Sequence, residues 1–283
     1  MRYILFGTPG IARTVLTTLC EQGRPPIALV TNPDRPVGRK HIVTAPPTKE
    51  YLRTFDPHLP ILQFERLDDA AQDELRRLRP DFGIVVAYAK IIPEHILGLF
   101  PKGVIGVHPS LLPKLRGASP IMSAILDGVP RTGVTLYLMD AHMDQGPILA
   151  QESLADYDPD AETADVLTEK LAREAGMLLL SVLPQFEAGQ IVPKPQNEAE
   201  ATFTKKFTTQ DAYIAPEDLA AAARGADPKL AVRLDRVIRA LNPEPGAWTM
   251  ERGKRVKLLH AKLLGGRLTV TELQYEGKKP QKA

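Results

Sequence analysis

Cys20 is the only cysteine in 283 residues. A disulfide framework and a cysteine-based zinc site are therefore both excluded. Cys20 falls on an apolar, helix-like face and reads as a buried, inert thiol. No apolar run approaches the roughly 20 residues that a membrane-spanning helix needs, so no membrane partner is expected. Met1 leads almost directly into a strand-like Tyr3-Ile4-Leu5-Phe6, which leaves no stretch for a signal or transit peptide; a cytoplasmic protein is the expectation. A dinucleotide fingerprint is missing too. The turn Gly7-Thr8-Pro9-Gly10 has the wrong spacing for Gly-x-Gly-x-x-Gly and contains a proline, so it reads as a tight strand-to-helix turn and no NAD is expected. There is no internal repeat, and the only biased stretch is a short lysine-rich tail from Lys278.

Strands and helices alternate through the first two thirds. Arg2–Phe6, Ile27–Thr31, Ile61–Phe64, Phe82–Tyr88, Val104–Val107 and Gly133–Met139 read as strands. Ile11–Glu21, Pro47–Thr54, Ala70–Leu78, Pro120–Leu126 and Thr163–Ala188 read as helices. Phe82–Tyr88 is apolar throughout, as a strand covered on both faces should be. The alternation predicts an α/β, Rossmann-like parallel sheet, with ligands beyond the carboxyl ends of its strands. The expected domains are a catalytic domain over 1–192, a proline-marked linker over 193–206 and a small C-terminal domain over 207–283. That last part reads as two helices, Pro216–Arg224 and Leu230–Leu241, then strands Ala247–Met250, Val256–Leu264 and Leu268–Leu273.

The net charge of +2 hides an asymmetry. From Lys205 onward there are 16 Lys and Arg against 9 Asp and Glu; before it there are 20 against 25. A basic module joined to an acidic one suits a polyanionic partner, or is simply a basic, solvated surface.

Two loops carry candidate chemistry. His108 ends the apolar stretch Gly103–Val107 and opens the proline-broken run Pro109-Ser110-Leu111-Leu112-Pro113-Lys114-Leu115-Arg116-Gly117. A titratable ring at the mouth of a strand, beside a stiff loop, is well placed to act as an acid or base on a small substrate. The second loop, Met139-Asp140-Ala141-His142-Met143-Asp144-Gln145-Gly146, brings two carboxylates and a histidine together. It could orient a histidine elsewhere, or be a solvated turn with a capping Asp. It lacks a clear metal-ligand spacing, and no metal is expected.

The run Val107–Ile121 closely resembles the signature of the formyltransferases that use 10-formyltetrahydrofolate. Phe6-Gly7-Thr8-Pro9, Asn32-Pro33-Asp34-Arg35-Pro36-Val37-Gly38-Arg39-Lys40, Val85-Val86-Ala87-Tyr88-Ala89, Arg239-Ala240-Leu241-Asn242-Pro243 with Trp248, and Leu273–Pro280 extend the resemblance over nearly the whole chain. Within the family they are most similar to enzymes that formylate initiator methionyl-tRNA for translation initiation. The resemblance implies a catalytic pair, His108 and Asp144, meeting over the formyl carbon. It implies folate contacts from Val85, Val86, Ala87, Tyr88 and Ala89, from Ser110, Leu111, Leu112 and Pro113, and from Asp140 and Gly146. It also implies tRNA contacts from Arg39 and Lys40, a C-terminal tRNA-binding domain resembling an OB-like β-barrel, and a monomer. Acting on amino-sugar nucleotides, or binding formylfolate or tRNA without turnover, are the alternatives.

Two departures stand out against that resemblance. The C-terminal domain lacks about thirty residues of β-structure before Glu276-Gly277-Lys278-Lys279, judged by ordinary strand and hairpin lengths, so a smaller or more open barrel is expected. Gly106 stands where the family has an asparagine whose amide binds the formyl oxygen. Loss of one such donor costs about 2.7–4 kcal/mol of barrier elsewhere, so Gly106→Asn is expected to raise the rate unless Gly106 has a positive φ. His108 is expected to be kept protonated by the carboxylate of Asp144.

Overall fold

The computed structural model describes residues 2–38 and 41–283. Its chain divides into two compact units that interleave along the sequence. The first takes the chain up to Arg116, then Gly133–Leu154 and Glu169–Thr202; the second takes Gly117–Thr132, Ala155–Thr168 and Phe203–Ala283.

A seven-stranded sheet organises the first unit. Its strands are β1 (Tyr3–Gly7), β2 (Ala28–Thr31), β3 (Ile61–Gln63), β4 (Phe82–Val86), β5 (Val104–His108), β6 (Gly133–Leu138) and β7 (Ile148–Ser153), in the order β7-β6-β5-β4-β1-β2-β3. β1 to β5 of this sheet are mutually parallel where they pair. Every residue of β1 and β2 is buried, because helices cover the sheet on both faces. Helix Gly10–Glu21 buries Ala12, Val15, Leu16, Leu19 and Cys20, a spacing that puts one apolar stripe against the sheet. The helix Asp69–Arg77 starts at Asp68, whose carboxylate accepts the Ala71 N–H at 3.1 Å. Phe6, Tyr88, Ile96 and Phe100 share one buried cluster with Ile4 and Val30.

The observed sheet differs from the expected one in three places. β6 runs antiparallel to β5, and β7, which the sequence did not suggest, runs antiparallel to β6. β7 is half-exposed at the sheet edge, so its sequence has no continuous apolar run. The strand expected to reach Tyr88 stops at Val86, because Ala87 turns into the left-handed region at φ +46. Among the described residues, no helix is long and apolar enough to cross a membrane.

The second unit packs helices Pro120–Asp127, Pro216–Arg224 and Pro228–Leu241 with a four-stranded antiparallel sheet of Trp248–Glu251, Lys254–Leu264, Arg267–Tyr275 and Gln281–Lys282, in chain order. Its four strands pair in a row, and among the described residues the first and last do not pair with each other to close a barrel. Ile214, Leu234, Ile238, Leu258 and Leu268 form its core. The motif residues hold this unit together: Asn242 Nδ2 donates to the carbonyls of Ile238 and Leu258 at 2.8 and 2.7 Å, and Arg239 pairs with Asp235 at 2.7 Å while donating to the Glu162 carbonyl.

Helix Ala164–Glu187 meets helix Gly10–Glu21 at Gly176, where a Cβ would lie 2.7 Å from Thr18 Cβ. Gly176→Val is expected to destabilise the fold by about 1–3 kcal/mol through overpacking. A chemical denaturation midpoint equal to that of the unsubstituted chain would contradict the close helix contact.

Candidate active site

Strand register places the site. Gly106 of β5 lies opposite Tyr137 of β6, and His108 lies opposite Thr135. Residues two apart on a strand share a face, and opposed residues share it too. Gly106, His108, Thr135 and Tyr137 therefore present to one side of the sheet, at the carboxyl end of β5. The wide loop that joins β6 to β7 carries Asp144 back to the same place.

His108 is 5% exposed. Its Nε2 lies 2.9 Å from the Leu115 carbonyl oxygen, which can only accept, so Nε2 carries the ring proton. Nδ1 then faces Asp144 Oδ2 at 3.6 Å. That distance is too long for a hydrogen bond but short enough for a strong charge interaction. Burial pushes the His108 pKa down, and the Asp144 charge and the Leu115 carbonyl only partly offset it. The protonated imidazole expected from the sequence is thus replaced by a neutral ring with an open Nδ1.

Asp144 is held from several sides. Tyr137 Oη donates to its Oδ1 at 2.7 Å. Gln196 Nε2 donates to the carbonyls of Asp144 and Gly146, at 2.8 Å each. Gln196 is gripped in turn by Arg116, whose Nη2 and Nε reach its Oε1 at 2.7 and 3.1 Å. Arg116 is fully buried and forks onto Glu198 at 2.7 and 2.8 Å, the pairing that most raises its pKa. These anchors hold Asp144 at φ +55, a left-handed conformation that Asp tolerates better than most residues. Gly146 admits no side chain, since a Cβ there would lie 1.7 Å from the Leu138 carbonyl oxygen.

The loop after His108 is braced as firmly. Thr135 Oγ1 donates to the Ser110 carbonyl at 2.7 Å and accepts from the Leu112 N–H at 3.0 Å. Gln151 Nε2 donates to the Leu112 carbonyl, and Ser110 Oγ to that of Lys114. Leu115 sits at φ +60, and its N–H donates to Thr202 Oγ1 at 2.8 Å. Val85 and Val86 of β4 pair with Gly106 and Val107, so the segment Val85–Ala89 leaves the sheet beside the His108 strand.

His108 and Asp144 thus come together with Gly106 and Tyr137 beside them; Val85–Ala89 runs out of the neighbouring strand, Ser110–Pro113 follow His108 in the chain, and Gly146 packs against Leu138. Asp140 is exposed in the β6–β7 loop, where its Oδ1 accepts the His142 N–H at 2.8 Å. Arg39 and Lys40 lie outside the described residues. Among the described residues, no group of His, Cys, Asp and Glu is arranged to hold a metal ion. Sequence reading missed Tyr137, Arg116, Gln196 and Leu115. The one available signal was the fixed strand register, which makes Tyr137 the partner of an anomalous glycine.

The expected gain from Gly106→Asn fails on space. Gly106 has no positive φ, but a Cβ there would lie 2.4 Å from Tyr137 Cε1 and 2.5 Å from Cζ. The ring already fills the volume that a side chain would need.

The chain matches the formyl transferase family over residues 1–183 and the formyl transferase C-terminal domain over 229–267. It is 40% identical over 269 residues to a methionyl-tRNA formyltransferase from Roseiflexus sp. (strain RS-1), covering 94% of this chain and 78% of that one. A methionyl-tRNA formyltransferase from Clostridium thermocellum shares the fold at a TM-score of 0.61 and 18% identity, over 97% of this chain and 98% of that one. HypX from Aquifex aeolicus, solved in complex with tetrahydrofolic acid, does so at 0.67 and 17%, over 100% and 46%.

Two outcomes follow from this geometry. Gln196→Ala removes both donors to the Asp144 turn and should cost about 1–3 kcal/mol of stability, read as a lower unfolding midpoint; an unchanged midpoint would show the turn to be held without it. If neutral His108 is the working form, the acid limb of the kcat/KM–pH profile lies below the ordinary histidine value of about 6.5. In Asp144→Asn the limb moves lower still, because the charge that raises the His108 pKa is gone. A limb that moved upward would contradict the arrangement.

Proposed function

The chain belongs to the formyl transferase family, and we propose that it transfers the formyl group of 10-formyltetrahydrofolate to the amino group of initiator methionyl-tRNA. The observation that carries this reading is the 40% identity to a named methionyl-tRNA formyltransferase along 94% of the chain, through the basic C-terminal part as well as the α/β part. A sugar-nucleotide substrate would not need that basic part, and a silent binder would not need the His108–Asp144 arrangement.

The pterin-facing role falls to the main chain of Val85–Ala89, assisted by Ser110–Pro113, Asp140 and Gly146. Ala87 and Ala89 are exposed where the chain leaves the sheet, while Tyr88 is buried with a hydroxyl that has no hydrogen-bond partner. Exposed backbone donors and acceptors of this kind suit the edge of a flat heterocycle. The folate supplies the activated formyl carbon. When the amine attacks the formyl carbon, Nδ1 of neutral His108 takes the amine proton, the Asp144 carboxylate offsets the positive charge that forms on the ring, and the imidazolium returns that proton to the folate nitrogen as its bond to the formyl carbon breaks and tetrahydrofolate leaves. The Leu115 carbonyl keeps the other ring nitrogen protonated throughout, so only one nitrogen is open to the incoming proton. Arg39 and Lys40 contact phosphates of the tRNA acceptor end, and the basic C-terminal unit contacts phosphates further along. The protein acts as a monomer in the cytoplasm.

The test is turnover with 10-formyltetrahydrofolate on charged initiator tRNA and, separately, on amino-sugar nucleotides. Turnover on the tRNA is expected, with affinity falling steeply as salt rises. His108→Ala should lower kcat/KM by roughly 10²- to 10⁴-fold, the contribution of one general base. Turnover on the sugar nucleotides alone, or on neither acceptor, would overturn the reading.

A further inference from the structure

Gly106 and Tyr137 form a matched pair. They oppose each other in the β5–β6 register, and the bare backbone at 106 is what lets the aromatic ring lie flat across the neighbouring strand. The phenolic oxygen ends 2.8 Å from the place where a Cβ of residue 106 would be. That is about the reach of a short polar side chain growing from position 106 itself. The hydroxyl is therefore delivered from β6 to a spot that β5 would otherwise supply.

The hydroxyl also has a partner. It donates to Asp144 Oδ1 at 2.7 Å, while Asp144 Oδ2 faces His108 Nδ1. Tyr137 is 5% exposed, and burial together with the Asp144 charge pushes its pKa far up. The phenol stays a donor at every working pH. A hydrogen bond from a neutral buried donor to a carboxylate is strong and directional, and it fixes which oxygen is left for the histidine.

We infer that Tyr137 is a positioning residue of the transfer reaction: its hydroxyl holds the Asp144 carboxylate toward His108, in place of a polar side chain at position 106. The inference rests on the functional reading above. It makes Gly106 a fitted partner of Tyr137 rather than a lesion in the site.

Tyr137→Phe keeps the ring and its packing while removing only the hydroxyl. Its kcat on charged tRNA should fall roughly 10- to 100-fold, the worth of one hydrogen bond to a charged group. KM for both substrates should stay within about twofold, and the unfolding midpoint should change little. A second pair of variants guards against a merely structural effect. Tyr137→Leu clears the ring from Gly106, and Gly106→Asn added to it brings an amide within reach of Asp144. The double variant should recover about tenfold in kcat over Tyr137→Leu alone, whereas Gly106→Asn in the unsubstituted chain should lose activity or fold through the clash with the ring.

Wild-type kcat in folded Tyr137→Phe would overturn the inference while leaving the function in place, as would a double variant no faster than Tyr137→Leu. If the unsubstituted chain formylates no charged tRNA, the functional reading falls first and takes the inference with it.

Discussion

Slide β6 by one residue against β5 and the site comes apart. Tyr137 and Thr135 would turn to the other face of the sheet, because side chains alternate along a strand. Tyr137 would then face Ile105 or Val107 across the pair, each of which carries a branched side chain where Gly106 has none. The observed register is locked by that fit: Gly106 offers bare backbone, and Tyr137 fills it. Val134 and Leu136 are fully buried on the opposite face, and an exchange with Thr135 and Tyr137 would bury polar groups away from the partners they now have. Register, core and site are thus one constraint. Because β6 runs antiparallel to β5, it ends beside Ile105, and the loop that follows folds back so that Asp144 reaches His108.

The backbone around the site is strained in a patterned way. Ala87, Leu115 and Asp144 all have positive φ without being glycine, at a cost of roughly 1–2 kcal/mol each. Two of the three are held by hydrogen bonds from elsewhere in the chain: Thr202 holds Leu115, and Gln196 holds Asp144. Behind Gln196 stands a fully buried arginine whose charge is met by Glu198. Strain of this kind persists only where the surroundings over-determine it. What it secures here is two polar groups, the Leu115 carbonyl and the Asp144 carboxylate, fixed on the two nitrogens of a single imidazole. A site assembled this way has little to reorganise when charge moves through it.

Much of this was legible in the sequence, and the missing part has a definite cause. Apolar runs such as Ile84-Val85-Val86 and the helical stripe of Ala12, Val15, Leu16 and Leu19 report burial directly, so most strands and helices could be bounded to within a few residues. His108 could be singled out because it ends such a run, whereas Asp144 was named only through the resemblance, its loop alone reading equally as a solvated turn. β7 was not legible, since an edge strand has no continuous apolar pattern to show. Gln196 was hidden for another reason. It lies in a proline-marked stretch of polar residues with no periodicity, and its importance comes from contacts with Arg116, 80 residues away. Tyr137 looked like one more apolar strand residue; only the pairing of two strands shows what its hydroxyl touches.

Burial of His108 decides which proton chemistry the pair can do. An exposed imidazole beside a carboxylate would gain a proton and serve as a charged donor. Here the desolvation of a ring buried on an inner strand outweighs the pull of Asp144, whose nearer oxygen lies 3.6 Å from Nδ1 while Tyr137 binds the other. A shorter contact would raise the ring's proton affinity and fill Nδ1 before the amine arrived. The length of that contact therefore matters as much as its presence: the carboxylate is near enough to stabilise the imidazolium once it forms, and far enough to leave the base free until then.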